Sequence, residues 1–128
     1  MKIGDFIYAR THADFLNKAF GTNYKSWMSC VWNYTDESIV WMVRFNQIRS
    51  GWRNSFISNN RIMEENLNKV TVWNGTPVKE GMHRRRIVME IDDSGSMRKY
   101  IFRGIYVYDE KNSDPVSVRY HDKVADEI

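Results

Sequence analysis

Two hydrophobic periods follow one another along the chain, a helical one near the N terminus and a strand-like one over most of the remainder. The helical segment opens with Thr11 and Asp14, which have the spacing of a capping box, and closes at Gly21, which suits a left-handed C-cap. Its apolar residues recur three or four positions apart: Ala13, Leu16, Ala19 and Phe20. The pattern therefore predicts a helix between Thr11 and Gly21.

Aromatic and β-branched residues dominate the segments after this helix, and they predict strands joined as hairpins. One hairpin is expected over residues 27–34 and 39–45, and a second over residues 85–91 and 98–108. Gly104, inside the last of these strands, predicts a bulge or a close backbone approach. Shorter extended segments complete the pattern: residues 5–10, 116–120, and 70–73 before an Asn74-Gly75 turn.

The middle of the chain breaks the alternation. Residues 49–57 have no clear period and are expected to be irregular, and Asn59 or Asn60 is expected to cap a short helix through Leu67. About six strands and two helices follow from this interpretation. Because the strands arrive in hairpins, we predict an α+β fold, a curled antiparallel sheet or partly open β-barrel.

Length and composition fit one folded domain over residues 1–128, with 42% hydrophobic and 27% charged residues. The single cysteine, Cys30, cannot form an internal disulfide and is expected to be a small buried residue in a strand. No apolar run approaches the length of a membrane span, and the N terminus has no signal-peptide core. We therefore expect a cytoplasmic protein.

The net charge of +3 hides an uneven distribution, because residues 1–108 carry a net +6 and residues 109–128 a net −3. A basic body with an acidic C-terminal segment favours a partner that is itself charged.

Catalytic motifs are absent from the sequence, which has no nucleophile elbow, P-loop or zinc-protease signature. The histidines are scattered, and His12 and His121 have no acid–base partner by spacing. Adjacent Asp92 and Asp93 could bind a divalent cation, but they are also the residues that a solvated turn prefers. We therefore expect no catalytic residue, no metal site and no cofactor.

Arginines cluster where the second hairpin begins. Alternation along a strand puts Arg84 and Arg86 on one face and Arg85 on the other, and arginines at a loop-to-strand junction suit phosphate contacts. The alternative is a cluster whose charge is balanced by Glu90 and the aspartates of the turn.

Trp52 differs from the other tryptophans, which sit in strand-like runs. It follows Gly51, stands next to Arg53 and precedes Asn54 in the aperiodic stretch. An aromatic face, an amide and nearby arginines can hold an extruded or single-stranded base. The plain alternative is a tryptophan that closes the end of the barrel.

Short motifs around these residues resemble the PUA/SRA-like β-barrel domains of bacterial restriction and related defence proteins, which often stand beside HNH-type nuclease domains. The matching segments are residues 51–54, 61–65, 86–88, 99–106 and 119–120. Within residues 99–106, an aromatic-x-Phe-x-Gly-hydrophobic-aromatic strand is the most specific of these. The resemblance covers about residues 38–124.

The resemblance implies a curved barrel that reads nucleic acid, often a modified base extruded into an aromatic pocket. It implies a base pocket with Trp52 and Asn54 nearby and Arg103 and Tyr106 on the strand that lines it. The phosphate contacts are expected from Arg53, Arg84 and Arg86.

Because the chain has no nuclease domain, we predict a non-catalytic module of a restriction or phage-defence system. Its expected partner is nucleic acid, DNA rather than RNA, with a nuclease in trans as a candidate protein partner. The alternative is a protein-interaction module of the same fold, an accessory or inhibitor protein whose detached acidic segment mimics nucleic acid or covers the basic surface.

Overall fold

The computed structural model describes residues 1–67 and 80–128. Their elements, in chain order, are β1 (Phe6–Tyr8), α1 (His12–Phe20), β2 (Val31–Thr35), β3 (Ser38–Val43), β4 (Ile48–Arg49), β5 (Trp52–Ser58), β6 (Arg61–Asn66), a 3-10 helix (Glu80–His83), β7 (Arg85–Asp92), β8 (Lys99–Tyr108) and β9 (Val118–Ala125). The strand expected at 70–73 and its Asn74-Gly75 turn lie outside the described residues.

The strands form one sheet in the order β2-β3-β7-β8-β9-β6-β5-β4. Strand β1 is not part of this order and pairs with the first residues of β8. All described pairs are antiparallel except β3 with β7, which run parallel. The expectation of a purely antiparallel sheet is wrong at that pair. The chain between β3 and β7 includes β4, β5 and β6, and it returns to the end of the sheet at which β3 begins, so that β7 runs in the same direction as β3. A curled half-barrel, with one α-helix among residues 1–67 and 80–128, confirms the α+β class.

Helix α1 forms as its sequence predicts. Thr11 is the N-cap, and its Oγ1 accepts a hydrogen bond of 3.1 Å from the backbone N–H of Asp14. The Asp14 carboxylate in turn accepts from the backbone N–H of Arg10 at 3.2 Å. Gly21 ends the helix in the left-handed conformation, with φ of 70°.

Two hydrophobic cores cover the two faces of the sheet. The outer core lies beneath α1, where Phe15 and Leu16 are fully buried and Phe15 stacks on Tyr100 with ring centroids 4.4 Å apart. The opposite core contains Trp41, Val43, Phe45, Ile62, Val88 and Tyr106.

Curling of the sheet identifies this second core as the inside of the half-barrel. Phe45, just after β3, stacks on Phe56 of β5 at 4.2 Å, although four strands separate β3 from β5 in the sheet. Trp41 of β3 likewise lies 5.5 Å from the ring of His121 on β9. Only a concave surface brings such distant strands into contact, so we call this side the inner face.

Gly104 produces the predicted bulge. It has φ of +111°, and a Cβ there would lie 2.9 Å from Lys123 Cδ and 3.1 Å from the carbonyl oxygen of Ala125. The register between β7 and β8 shifts at this point, so β8 holds one extra residue. Arg103 and Tyr106, three positions apart, consequently both face inward.

Two sequence predictions fail in the middle of the chain. Residues 49–57 are not irregular, because β4 and β5 form a hairpin whose turn residues Ser50 and Gly51 have φ of 52° and 82°. Arg61–Asn66 form strand β6 rather than the expected helix, and Asn59 and Asn60 form the turn between β5 and β6. Pairing of β6 with both β5 and β9 overrides its helix-favouring methionine and glutamates.

Two smaller expectations also change. Cys30 is exposed just before β2 rather than buried within a strand. The acidic segment is not detached, because β9 lies inside the sheet between β8 and β6. No helix among the described residues is long and apolar enough to cross a membrane.

Candidate functional site

A group of polar side chains crosses the otherwise apolar inner face. Glu64 on β6 and Arg86 on β7 are each 8% exposed, and His121 on β9 is fully buried. Asn54 on β5 stands opposite Glu64 in the register, and His121 stands opposite Ile62 and Tyr108. We call Asn54, Glu64, Arg86 and His121 the inner polar cluster.

Glu64 and His121 form the shortest contact in this cluster, with Oε1 of Glu64 2.5 Å from Nε2 of His121. Burial on its own raises the pKa of Glu64, but the hydrogen bond from His121 and the charge of Arg86 outweigh it and leave that pKa lowered. Burial also lowers the pKa of His121, against the opposing effect of Glu64. The pair is therefore an ionised Glu64 and a neutral His121 that donates from Nε2, which leaves Nδ1 as an acceptor.

Trp41 connects this pair to Arg86. The Arg86 guanidinium lies over the indole ring at 4.9 Å from its centroid, and the His121 ring lies 5.5 Å from the same indole. Burial lowers the pKa of Arg86, whereas the charge of Glu64 raises it. A buried cation over an aromatic face, close to a buried carboxylate, is a costly arrangement to build into a core.

Three buried atoms of the cluster have no hydrogen-bond partner among the described residues: Asn54 Oδ1, Arg86 Nε and His121 Nδ1. Two are acceptors and one is a donor. Buried polar atoms are nearly always paired in native proteins, so three on one surface indicate a ligand or solvent that completes them.

Two cavities open along the inner face. The first, of about 260 Å³, is bordered by Arg84, Arg86 and Arg119, and we call it the arginine cavity. Its other lining residues are Val31, Asn33, Ile39 and Met82. The second, of about 520 Å³, has Phe56, Tyr106, Arg103 and Lys123 in its wall, and we call it the aromatic cavity.

The four residues expected in a base pocket are divided between these regions. Arg103 and Tyr106 line the aromatic cavity, where the Arg103 guanidinium lies 4.8 Å from the Phe56 ring centroid. Trp52 lies instead beneath Arg119, whose guanidinium is 4.3 Å from the indole centroid, and Asn54 belongs to the inner polar cluster. Their role in holding a base stays a prediction.

The three arginines expected to contact phosphate are also divided. Arg84 and Arg86 meet at the arginine cavity, where Arg84 donates to Asn33 Oδ1 at 2.9 Å. Arg53 pairs with Glu65 at 3.1 Å and alternates with the inward residues Trp52 and Asn54 along β5, so it faces the other side of the sheet. Arg85 alternates with Arg84 and Arg86 along β7, as predicted, and it is exposed.

The comparisons with known proteins agree with this architecture. The family model of the SRA, or SET and RING associated, domain matches residues 1–128. The chain belongs to the SRA domain family. The resemblance to PUA/SRA-like domains seen in the sequence is thereby confirmed.

Among solved structures, this SRA domain is similar to the 5-hydroxymethylcytosine-specific restriction enzyme AbaSI, with a TM-score of 0.65 and 22% sequence identity. The match covers 98% of this chain and 40% of that chain, so the SRA domain spans about two fifths of the length of the enzyme. At this identity the likeness shows a shared fold. No curated protein sequence matches the chain.

Sequence reasoning missed the most buried part of the site. His121 finds its partner 57 residues away, and Glu64 sits in the segment expected to be helical, so spacing carried no signal for either. In the Asp92-Asp93 turn, Asp93 pairs with Arg44 and Arg98. The described residues include no group of three or more histidine, cysteine or acidic side chains that could hold a metal ion.

Proposed function

We propose that this SRA domain binds DNA in the cytoplasm and reads a modified base on its inner face, without catalysing a reaction itself. Domains of its family are DNA-binding readers. The fold is shared with an enzyme named for its specificity for 5-hydroxymethylcytosine. The observation that carries the proposal is the inner polar cluster, with three buried atoms that lack partners.

A nucleobase can supply the hydrogen-bond partners that these atoms lack. Its edge presents donors and acceptors in one plane, which can pair with an acceptor such as Asn54 Oδ1 or a donor such as Arg86 Nε. Leaving a buried polar group unpaired costs about 1–3 kcal/mol, so a ligand that pairs them recovers that free energy on binding. A base stacked inside a duplex cannot enter a concave surface, so the base has to be extruded first.

Aromatic side chains on the same face supply the second requirement. Trp52 stands on β5 beside the arginine cavity, under Arg119, and Trp41 lies beneath Arg86. Stacking of a base on an aromatic ring contributes about 1–3 kcal/mol, enough to offset part of the cost of extrusion. Among the sequence candidates, Trp52 and Asn54 are therefore the two that we propose contact the base.

Binding to duplexes that differ in one base tests the proposal. Duplexes with a central cytosine, 5-methylcytosine or 5-hydroxymethylcytosine would be titrated with the domain by fluorescence anisotropy at two salt concentrations. We expect a modified duplex to bind more tightly than the unmodified one, and Asn54→Ala to reduce that preference by about tenfold, the equivalent of about 1.4 kcal/mol.

Asn23→Ala is the matched control, because Asn23 is an exposed amide in a loop. It should bind every duplex as the wild type does. Equal affinity for all duplexes in both the wild type and Asn54→Ala would contradict the proposal, and no binding to any duplex at low salt would favour the protein-interaction module.

We also propose that the domain does not cleave DNA itself and that a nuclease outside this domain does so. Plasmid DNA that contains 5-hydroxymethylcytosine should stay supercoiled when incubated with the domain and Mg²⁺ or Mn²⁺. Nicking that copurifies with the domain and disappears in a variant of the inner polar cluster would contradict it.

A further inference from the structure

The arginine cavity is lined by positive charge that an uncharged base cannot neutralise. Arg84, Arg86 and Arg119 line it, and no acidic residue is found among its described lining residues. Cavities that hold neutral ligands are mostly apolar with a few polar groups, whereas three guanidinium groups around about 260 Å³ present many donors to one small space.

These three arginines differ in their partners from the other arginines that are at least partly buried; Arg10, Arg49 and Arg85 are exposed. Five arginines elsewhere each pair with a carboxylate: Arg44, Arg53, Arg61, Arg98 and Arg103. Within the described part of the chain, the cavity arginines form no such pair. Arg84 donates to the Asn33 amide, Arg119 donates to the Pro115 carbonyl and lies on Trp52, and Arg86 lies on Trp41.

Arg86 supplies the observation that points to a ligand. Its side chain lines the cavity although the residue is 8% exposed, and its Nε has no hydrogen-bond partner among the described residues. Arg119 is close enough for its charge to act on Arg86, and Glu64, the acidic side chain that acts on both, already accepts from His121. Two guanidinium groups are thus held near each other with one shared, already occupied carboxylate.

We propose that the arginine cavity is an oxyanion subsite, in which Arg86 forms the floor and Arg84 and Arg119 form the rim around one charged group of the bound nucleotide. The inference rests on the proposed function only in that DNA delivers the anion. Planar guanidinium groups match the paired oxygens of a phosphate or a carboxylate, and a bound anion relieves the repulsion between Arg86 and Arg119.

The oxyanion has two sources in DNA, a backbone phosphate next to the extruded nucleotide or a carboxylate on the modified base. Three duplexes separate them: one with a central 5-hydroxymethylcytosine, the same duplex with methylphosphonates on both sides of that nucleotide, and one with a central 5-carboxylcytosine. The proteins compared would be wild type, Arg86→Met, Arg119→Met and Arg85→Met.

Arg85→Met is the matched control, because Arg85 precedes Arg86 on the same strand, is exposed and faces away from the cavity. Methionine keeps most of the length of arginine at position 86, but Arg86→Met leaves buried Glu64 without that positive charge and is expected to lower stability. Arg119→Met is the second variant, and thermal melts establish that each protein is folded.

If the anion is a backbone phosphate, we expect Arg86→Met and Arg119→Met to weaken binding of the 5-hydroxymethylcytosine duplex by about tenfold relative to Arg85→Met. The slope of log affinity against log salt then falls by about 0.9, and the methylphosphonate duplex removes the difference between wild type and variant. If the anion is a carboxylate on the base, the 5-carboxylcytosine duplex binds wild type more tightly, Arg86→Met abolishes that gain, and the methylphosphonates have no effect.

Affinities of Arg86→Met and Arg119→Met equal to those of Arg85→Met for all three duplexes would overturn the oxyanion subsite. If wild type still prefers a modified base in that case, base reading stands and only the subsite fails. If wild type shows no such preference but the two variants lose affinity and salt dependence, the subsite stands and base reading fails.

Discussion

Acidification is expected to destabilise this domain, and His121 accounts for much of the effect. Burial lowers the pKa of His121 in the folded protein, whereas the unfolded chain takes up a proton at about pH 6.5. Below that value the unfolded state holds one more proton than the folded state, so the free energy of unfolding falls as the pH falls. The slope approaches about 1.4 kcal/mol per pH unit for one proton.

Two other groups act in the same direction and can be separated from His121. The pKa of His12 is also lowered, first by burial and then by the charges of Arg98 and Arg44. The pKa of Glu64 is lowered too, so its contribution is present above about pH 4.5 and is lost as the pH falls through its folded value. The histidine window therefore lies above the glutamate window.

Urea unfolding between about pH 5 and about pH 7.5 measures these slopes. Wild type should lose stability steadily on acidification, His121→Gln should show a slope smaller by up to one proton, and His12→Gln should show a smaller reduction because His12 is only half-buried. The slope is the readout, because the glutamine variants also change the absolute stability. An unchanged slope in His121→Gln, or a wild type that gains stability on acidification, would refute a neutral His121 bonded to an ionised Glu64.

Two further predictions concern the sheet and the cavity rim. Gly104→Ala should lower the free energy of unfolding, measured in urea, by about 1–3 kcal/mol or more, because φ of +111° is strained for alanine and Lys123 has to move. The control is Gly95→Ala, which should change stability little because a Cβ there meets only an ordinary contact. Equal effects of the two variants would contradict the account of the bulge. Trp52→Ala should reduce the free energy of DNA binding at least as much as it reduces the free energy of unfolding, because Arg119 loses the ring on which it lies. Trp52→Phe should retain most of the binding. A loss of about 3–5 kcal/mol in the free energy of unfolding would identify Trp52 as a core residue instead.

Local sequence signals predicted the elements whose chemistry is local. Thr11 and Gly21 bound α1 through caps that involve residues a few positions away, and Gly104 marks its own bulge. The hairpin of β7 and β8 follows from apolar residues and a polar turn. In each case the residues that decide the structure are neighbours in the chain.

The two errors in the middle of the chain have a common physical cause, because they fall where polar residues point into the barrel. Asn54 is a polar residue at an inward position between Trp52 and Phe56, so β5 lacks the alternation of apolar and polar residues that indicates a strand. Glu64 has the same effect on β6. Both side chains belong to the inner polar cluster, whose other members lie on different strands, so no spacing rule could bring them together. A sequence departs from ordinary strand patterning where a site requires buried polar groups, which is why the misread strands and the candidate site coincide.

The affinity of the wild-type domain for two duplexes, identical except for 5-hydroxymethylcytosine or cytosine at one position, tests the central claim most directly. We predict tighter binding of the modified duplex, a preference that Asn54→Ala reduces and Asn23→Ala leaves intact. The same affinity for both duplexes, unaffected by Asn54→Ala, would contradict the claim that the inner face reads a modified base.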